Sequence, residues 1–381
     1  MRKYELIAPC HFGLESVLKR EIDDLGYDVS KVEDGKVTFL GDEEAVARAN
    51  ICLRTAERIL IKIGSFKATT YDELFEATKA LEWESYIPRD ARFNVVKASG
   101  IKSKLFSPSD IQSIMKKAMV ERLKGVYGIN WFDETGVDIA VRTTILKDEV
   151  TVGLDTTGTS LHKRGYRKLV AKAPIAENLA AALIMLTPWK GDRILADPFC
   201  GSGTFPIEAA MMAANMAPGM NRTFKGMGLD HIVAPTVWKD AFEEAHDEVS
   251  LPASADITGF DIDASMIETA RANAKLAGVE KLVRFEKRDV KDFTHPGKYG
   301  FMITNPPYGE RLNVDELNVL YKTLSDSYKA LDNWSLFVIT SYENAATAMG
   351  LKPDKNRKIY NGMLKTYFYS FMGQKPDRNK Q

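Results

Sequence analysis

Asp197-Pro198-Phe199-Cys200-Gly201-Ser202-Gly203-Thr204 decides how this chain reads, because it stands between a short strand pattern over 193–196 and a helix pattern over 204–215. In an open α/β sheet, ligands settle beyond the carboxyl ends of the strands, and glycines in the turn let them approach the backbone. Working forward, strand patterns over 257–260, 283–285, 301–304 and 336–340 alternate with helix patterns over 264–277 and 315–331, and a hairpin over 358–360 and 366–371 closes the series. The alternation predicts an α/β fold, a mostly parallel, doubly wound sheet with an antiparallel edge hairpin. Residues 216–255 interrupt it with Pro218, Gly219, Gly226, Gly228, Pro235 and Pro252, and read as an insertion between the first helix and the second strand.

Working backward, residues 158–167 are polar, glycine-bearing and basic, which marks a domain boundary. After it, Pro174 suits the first turn of a helix running through Asn178, Leu179, Ala182, Leu183 and Leu186. Before it, a strand over 59–63, a helix over 71–81, a strand over 92–97, a helix over 109–123 and paired strands over 137–143 and 149–155 form a compact α/β module. A strand over 4–8, a helix over 14–25, a strand over 36–40 and a helix over 42–54 precede that as a small α+β unit. The expected division is therefore 1–57, 58–160, a basic linker 161–174, a sheet domain 175–373 carrying the insertion 216–255, and a disordered tail 374–381.

Composition narrows the function classes. The 381 residues, 45% hydrophobic and 27% charged, exceed what one core serves and are those of an ordinary globular protein. No apolar run approaches the ~18 residues of a membrane span, so no membrane partner is expected. Met1-Arg2-Lys3-Tyr4-Glu5-Leu6 lacks the apolar core of a secretory signal, which makes the cytoplasm the expected location. Cys10, Cys52 and Cys200 have no CxxC spacing and the five histidines no HxxxH pair, so neither a disulfide framework nor a metal site is expected. Lys+Arg and Asp+Glu both total 52, so any basic surface is local. Two stretches stand out: residues 92–124, with Asp110 and Glu121 as their acids, and 162–172, with none. Lys97, Lys102, Lys104, Lys116, Lys117, Lys163, Arg164 and Arg167 are the candidate phosphate contacts from them, against the alternative of solvated faces.

A nicotinamide fingerprint does not fit the glycine loop, since Pro206 occupies its third glycine position and the next strand-end carboxylates lie some 60 residues on instead of ~20. S-adenosylmethionine (SAM) fits better. The loop, with Pro198, Phe199, Gly201, Gly203 and Thr204, and the Asp197 carboxylate would face the amino-acid end of that cofactor. Asp261, with Asp263 as second choice and Ile262 between them, would accept the ribose hydroxyls. Asp289 could take the adenine amine, and the backbone N–H of Val290 a ring nitrogen. The competing reading of these carboxylates is a helix or turn cap. Cys200 reads as a small packing residue.

The buried-strand run 301–304 ends directly in Asn305-Pro306-Pro307-Tyr308-Gly309. An exocyclic base amine is a weak nucleophile because its lone pair is delocalised into the ring. The Asn305 side-chain carbonyl and a backbone carbonyl after Pro306 or Pro307 could accept its two N–H groups, and Tyr308 could stack on the extruded base. Asn is no base, so alignment and fixed dipoles would supply the rate, with the proton leaving after transfer.

DPFCGSGTFPIEAA at 197–210, GFDIDASMIETARANAKLAG at 259–278 and NPPYGERL at 305–312 resemble the THUMP-domain RNA guanine-N2 methyltransferases, in particular the large-subunit (23S) ribosomal RNA methyltransferase L family. GLESVLKREI at 13–22, ANICLRTAERIL at 49–60, LHKRGYR at 161–167 and APGMNRTF at 217–224 extend the resemblance over nearly the whole chain. It implies a ferredoxin-like domain, an RNA-binding THUMP module and a Rossmann-like class I methyltransferase domain, with SAM as donor and N2 of a guanine in large-subunit rRNA as acceptor. By motif match, Asp197, Gly201 and Gly203 take the first cofactor motif, Asp261 the acidic one, Asp289 the adenine one, and Asn305 to Tyr308 the catalytic one. Ala176 departs from the pattern where a basic residue is expected. The chain carries one methyltransferase domain where some relatives carry two, so only the N2 activity is expected. Alternatives are a tRNA guanine-N2 methyltransferase, a DNA or RNA adenine-N6 methyltransferase, and an inactive RNA-binding scaffold.

Overall fold

The computed structural model describes residues 2–167, 175–252, 255–308, 313–362 and 364–375. Pro174, Lys168, Lys172, Gly309 and the tail from 376 lie outside them.

In chain order the first half contains β1 (Tyr4–Pro9), α1 (Glu15–Asp24), β2 (Val29–Glu33), β3 (Lys36–Gly41), α2 (Glu43–Cys52), β4 (Leu60–Lys67), α3 (Tyr71–Ala80), β5 (Arg92–Ile101), α4 (Pro108–Tyr127), β6 (Asp138–Leu146) and β7 (Glu149–Asp155). Local chemistry sets several boundaries. α1 buries Val17, Leu18 and Ile22 along one stripe. α3 opens on a capping box of Thr70 and Glu73, and α4 starts at Pro108 and stops at left-handed Gly128.

These strands form one seven-stranded sheet, ordered β2-β3-β1-β4-β7-β6-β5. β1 pairs antiparallel with β4, Leu6 opposite Ile61 and Ile7 opposite Leu60, so hydrogen bonding runs across the boundary expected at residue 57. A two-strand pairing of distant segments leaves no local trace, which is why patterning alone separates the two units.

The second half contains α5 (Glu177–Met185), β8 (Leu195–Asp197), α6 (Thr204–Ala213), α7 (Pro235–Asp247), β9 (Ile257–Asp261), α8 (Ala264–Ala277), β10 (Val283–Lys287), β11 (Phe301–Thr304), α9 (Val314–Lys329), β12 (Ser335–Thr340), α10 (Ala345–Met349), β13 (Lys355–Asn361) and β14 (Leu364–Phe371). Its sheet is ordered β10-β9-β8-β11-β12-β14-β13. The first five are parallel, and β14 and β13 add the antiparallel edge. Strand order reverses between β8 and β11, the switch point at which doubly wound sheets open a ligand crevice.

The insertion does more than interrupt. Its Met220, Phe224, Leu229, Ile232, Val233, Trp238, Ala241 and Ala245 pack into the core of the first half. Phe224 stacks on Trp238 at 5.5 Å between ring centroids, and the Arg48 guanidinium of α2 grips both Glu244 oxygens of α7 at 2.9 Å. The segment straps the two halves together.

Candidate active site

The carboxyl end of β8 delivers Asp197 into a turn that only glycines can make. Gly201 and Gly203 have φ of +52° and +87°, in the left-handed region. A Cβ on Gly203 would lie 2.9 Å from Phe285 and 3.0 Å from Ala270, whereas that of Gly201 would meet nothing within 4 Å. One glycine lets α6 close on the sheet, and the other leaves room for a ligand beside the backbone.

Asp261, ending the neighbouring β9, accepts the Gly201 N–H at 3.0 Å and the Asp263 N–H at 2.9 Å. Burial raises its carboxyl. Two backbone donors orient both oxygens, and each keeps a lone pair for a hydroxyl. Ile262 beside it is 66% exposed, an apolar surface that a flat ring would cover. Asp263, the second choice, is instead a helix cap: one oxygen takes the Ser265 N–H and hydroxyl, both at 2.8 Å, and these bonds hold its carboxyl low. Asp289 caps the single turn after β10 through the Lys291 N–H at 3.1 Å, with Lys291 Nζ 3.3 Å from its other oxygen. Val290 behind it is buried.

Asp197 departs from the expectation that it faces a cofactor. Its side chain is buried, at 1% exposure, and accepts the Thr304 hydroxyl at 2.6 Å and the Phe199 N–H at 3.1 Å. Burial pushes its carboxyl up to about 7, those two donors pull it down, and the Asp261 charge adds to the rise. Asp197 braces the glycine loop against the end of β11. Pro198 is buried and Phe199 half-buried beside it. Cys200 is buried and its thiol raised by burial, which suits packing and not a thiolate. The Thr204 hydroxyl is occupied by Arg167 at 2.8 Å.

β11 runs parallel beside β8, with Met302 opposite Ala196, so Asn305 emerges next to the glycine loop. Asn305 Oδ1 is buried with no hydrogen-bond partner among the described residues. An orphan of that kind costs about 1–3 kcal/mol until a donor arrives. Pro306 is buried, Pro307 exposed and Tyr308 half-buried. Burial raises the Tyr308 phenol, while hydrogen bonds to Asn361 and Asn305 oppose the rise. The sequence reading missed Asn361. Asn361-Gly362 signals a hairpin turn, but nothing local tells that Asn361 neighbours the Tyr308 phenol.

The basic candidates divide. Lys97, Lys102, Lys104, Lys117 and Lys163 are exposed. Lys116 turns inward, its ammonium 3.7 Å from the Phe93 ring and donating to the Phe93 carbonyl, and burial lowers it. Arg164 is 3% exposed, donates to the Leu161 and Arg54 carbonyls and lies 3.5 Å from Glu208 of α6. Arg167 is spent on Thr204, on the Ile175 carbonyl at 2.8 Å and on Glu177 at 3.4 Å. These three are corrections to the expected phosphate contacts, because each cation already has its partners inside the protein. Among the described residues, no group of three His, Cys, Asp or Glu could hold a metal ion.

Comparison with known proteins adds the following. Residues 164–369 match the RMKL-like methyltransferase domain family, residues 5–60 the RlmL ferredoxin-like domain and residues 68–155 the THUMP domain. YpsC of Bacillus subtilis (strain 168), whose name describes an RNA methyltransferase, is 45% identical over 384 residues, covering 100% of this chain and 99% of that protein. The structure of SMU.472, named as a methyltransferase and complexed with SAH, is 40% identical with a TM-score of 0.93, covering 99% of this chain and 100% of that one. A structure from Listeria monocytogenes str. 4b F2365, named as an N6-adenine-specific DNA methylase, is 46% identical with a TM-score of 0.92, covering 98% and 97%.

Proposed function

Because the chain belongs to the RMKL-like methyltransferase family, in the form that carries RlmL ferredoxin-like and THUMP domains, we propose that it methylates the exocyclic N2 of a guanine in large-subunit (23S) rRNA with SAM as donor. The observation that carries an amine acceptor is the buried Asn305 Oδ1, without a partner among the described residues, beside the glycine loop. The preference for guanine over adenine, and for rRNA over tRNA, is supported by the motif resemblance along the chain, including 217–224 within the strap.

The cofactor fits this site: Gly201 leaves space at the loop, Asp261 offers two oriented oxygens and Ile262 an uncovered apolar face. Bound SAM supplies an electrophilic methyl on a sulfonium, and transfer leaves S-adenosylhomocysteine (SAH) and a proton. Asn305 Oδ1 takes one amine N–H and a backbone carbonyl at Pro306 or Pro307 the other, which turns the nitrogen lone pair towards the methyl. Tyr308, half-buried beside Asn305, offers its ring to the extruded base. No side chain here needs to act as a base, because the methylated amine is acidic and loses its proton after transfer.

An adenine-N6 acceptor is the second reading, since the same two acceptors serve that amine and the Listeria relative is named for it. Mass-spectrometric mapping of methylated bases in rRNA and tRNA from a deletion strain separates them. Loss of one N2-methylguanine from 23S rRNA is expected. Loss confined to tRNA, or to N6-methyladenine, would overturn the assignment.

A further inference from the structure

Phe12, Lys355 and Arg357 take no part in the site described so far, yet the fold brings them together at its margin. Residues 11–14 leave β1 and dock on the catalytic half. His11 Nε2 lies 3.3 Å from Asn178 Oδ1 at the start of α5, Leu14 is buried in the same core as Ile359, and a Cβ on Gly13 would lie 3.7 Å from the Lys358 carbonyl. Phe12, between these anchors, stays 51% exposed.

β13 is the edge of its sheet. Lys352, Lys355, Arg357 and Lys358 are exposed along and just before it, and the one acid among them, Asp354, is held by the Met372 N–H at 2.7 Å. On the partner strand, Lys365 pairs with Glu343, whereas Lys355 and Arg357 enter no ion pair among the described residues. Side chains alternate along a strand, so Lys355 and Arg357 share the face of buried Ile359, about 6.7 Å apart. Ile359 shares its buried core with Leu14, and Phe12 is the neighbour of Gly13, which closes on the Lys358 carbonyl of the same strand. The same strand ends at Asn361, a polar neighbour of the Tyr308 phenol.

Cations on an edge strand also keep sheets from pairing edge to edge. Edge protection accounts for the charges, but not for a half-exposed phenyl carried to this strand by the segment after β1, nor for a strand whose end neighbours the Tyr308 phenol. Basic side chains interleaved with an exposed aromatic are the chemistry of single-stranded nucleic-acid binding.

We propose that Phe12 and the β13 edge dock the single-stranded RNA that flanks the acceptor base, Lys355 and Arg357 meeting phosphates and Phe12 stacking on a base. The assignment rests on the RNA methyltransferase reading but not on which base is methylated. The test uses the full chain and a fluorescein-labelled single-stranded oligouridylate, with binding followed by anisotropy across a series of KCl concentrations. The double variant Lys355→Gln/Arg357→Gln lowers the log–log salt slope by about 1.4, at about 0.7 per phosphate. Phe12→Ala weakens binding about tenfold and leaves the slope unchanged. SAH affinity by calorimetry stays at the wild-type value in both, which shows the fold and cofactor site to be intact. An unchanged slope in the double variant overturns the proposal, and self-association with that unchanged slope assigns the charges to edge protection alone. An equal loss for Phe12→Ala on a blunt RNA duplex overturns the single-strand assignment. If these losses appear while the deletion strain keeps its N2-methylguanines, the base assignment falls and the docking surface stands.

Discussion

Asn305 keeps its carbonyl oxygen buried and without a partner among the described residues, close to the half-buried Tyr308. A folded chain tolerates that cost where a ligand will supply the missing donor. Asn305→Ala is therefore expected to lower turnover by about 10²–10³-fold, the usual penalty for losing a preorganised dipole at the reacting centre. Calorimetry should find SAH affinity near wild type, and a large loss of it would assign Asn305 to the cofactor instead. Asp197 presents the opposite case, a buried carboxyl with two donors on Oδ1 whose charge is the problem. Its carboxyl titrates near 7 in the folded state against an ordinary 3.8. The native state then binds more protons than the unfolded one between those values, so this group's contribution is full below about pH 4 and is lost as pH rises through about 7. The cost of ionising it is on the order of 4 kcal/mol. Urea unfolding at pH 5 and pH 8 should show wild type losing more stability across that interval than Asp197→Asn. Equal losses would place the ionisation elsewhere.

At the scale of elements, the site depends on how two strand ends are held in register. The Thr304 hydroxyl ties β11 to Asp197 of β8 at 2.6 Å inside the sheet, one residue before Asn305. Thr304→Val removes one of the two donors to Asp197 Oδ1 and should cost about 1–3 kcal/mol in denaturant unfolding. If the bond also sets the direction of Asn305, kcat falls in that variant with little change in KM for SAM, and Thr304→Ser restores it. A variant destabilised but fully active would leave Thr304 a structural tie only. The glycine loop, the strand-end carboxylate and the Asn-Pro-Pro-Tyr turn were readable from sequence because turn chemistry acts over a few residues. α7 was not, since Pro235 and the preceding glycines read as loop punctuation although Trp238, Ala241 and Ala245 fall on one helical stripe. The inward turn of Lys116, Arg164 and Arg167 was equally invisible. Charge is a property of the residue, but its direction depends on partners such as Glu208, which sits 44 positions after Arg164.

Across the whole molecule, the strap places residues of the catalytic half inside the core of the N-terminal half, so the two cannot separate without exposing Trp238, Phe224 and Met220. Trp238→Ala should cost about 3–5 kcal/mol, the range for deleting a large buried aromatic. A second, earlier unfolding step is expected to follow, because the strap then no longer couples the halves. A single transition with unchanged midpoint would deny the strap that role. The linked halves also set the relation of Phe12 to β13, and so the path by which RNA would reach the acceptor. The sequence by itself determined the class of fold, the glycine loop, the Asn-Pro-Pro-Tyr turn after β11 and the family. Each of these is written in short-range periodicity and turn residues, whose physics is local. Only the tertiary structure decided that Asp197 braces Thr304, that Asn361 neighbours Tyr308, that β1 and β4 make one sheet of two units, and that the segment carrying Phe12 closes on the basic edge at Lys358. Those pairings follow from strand order and from packing between segments far apart in the chain, where burial selects the partner and no local pattern records it.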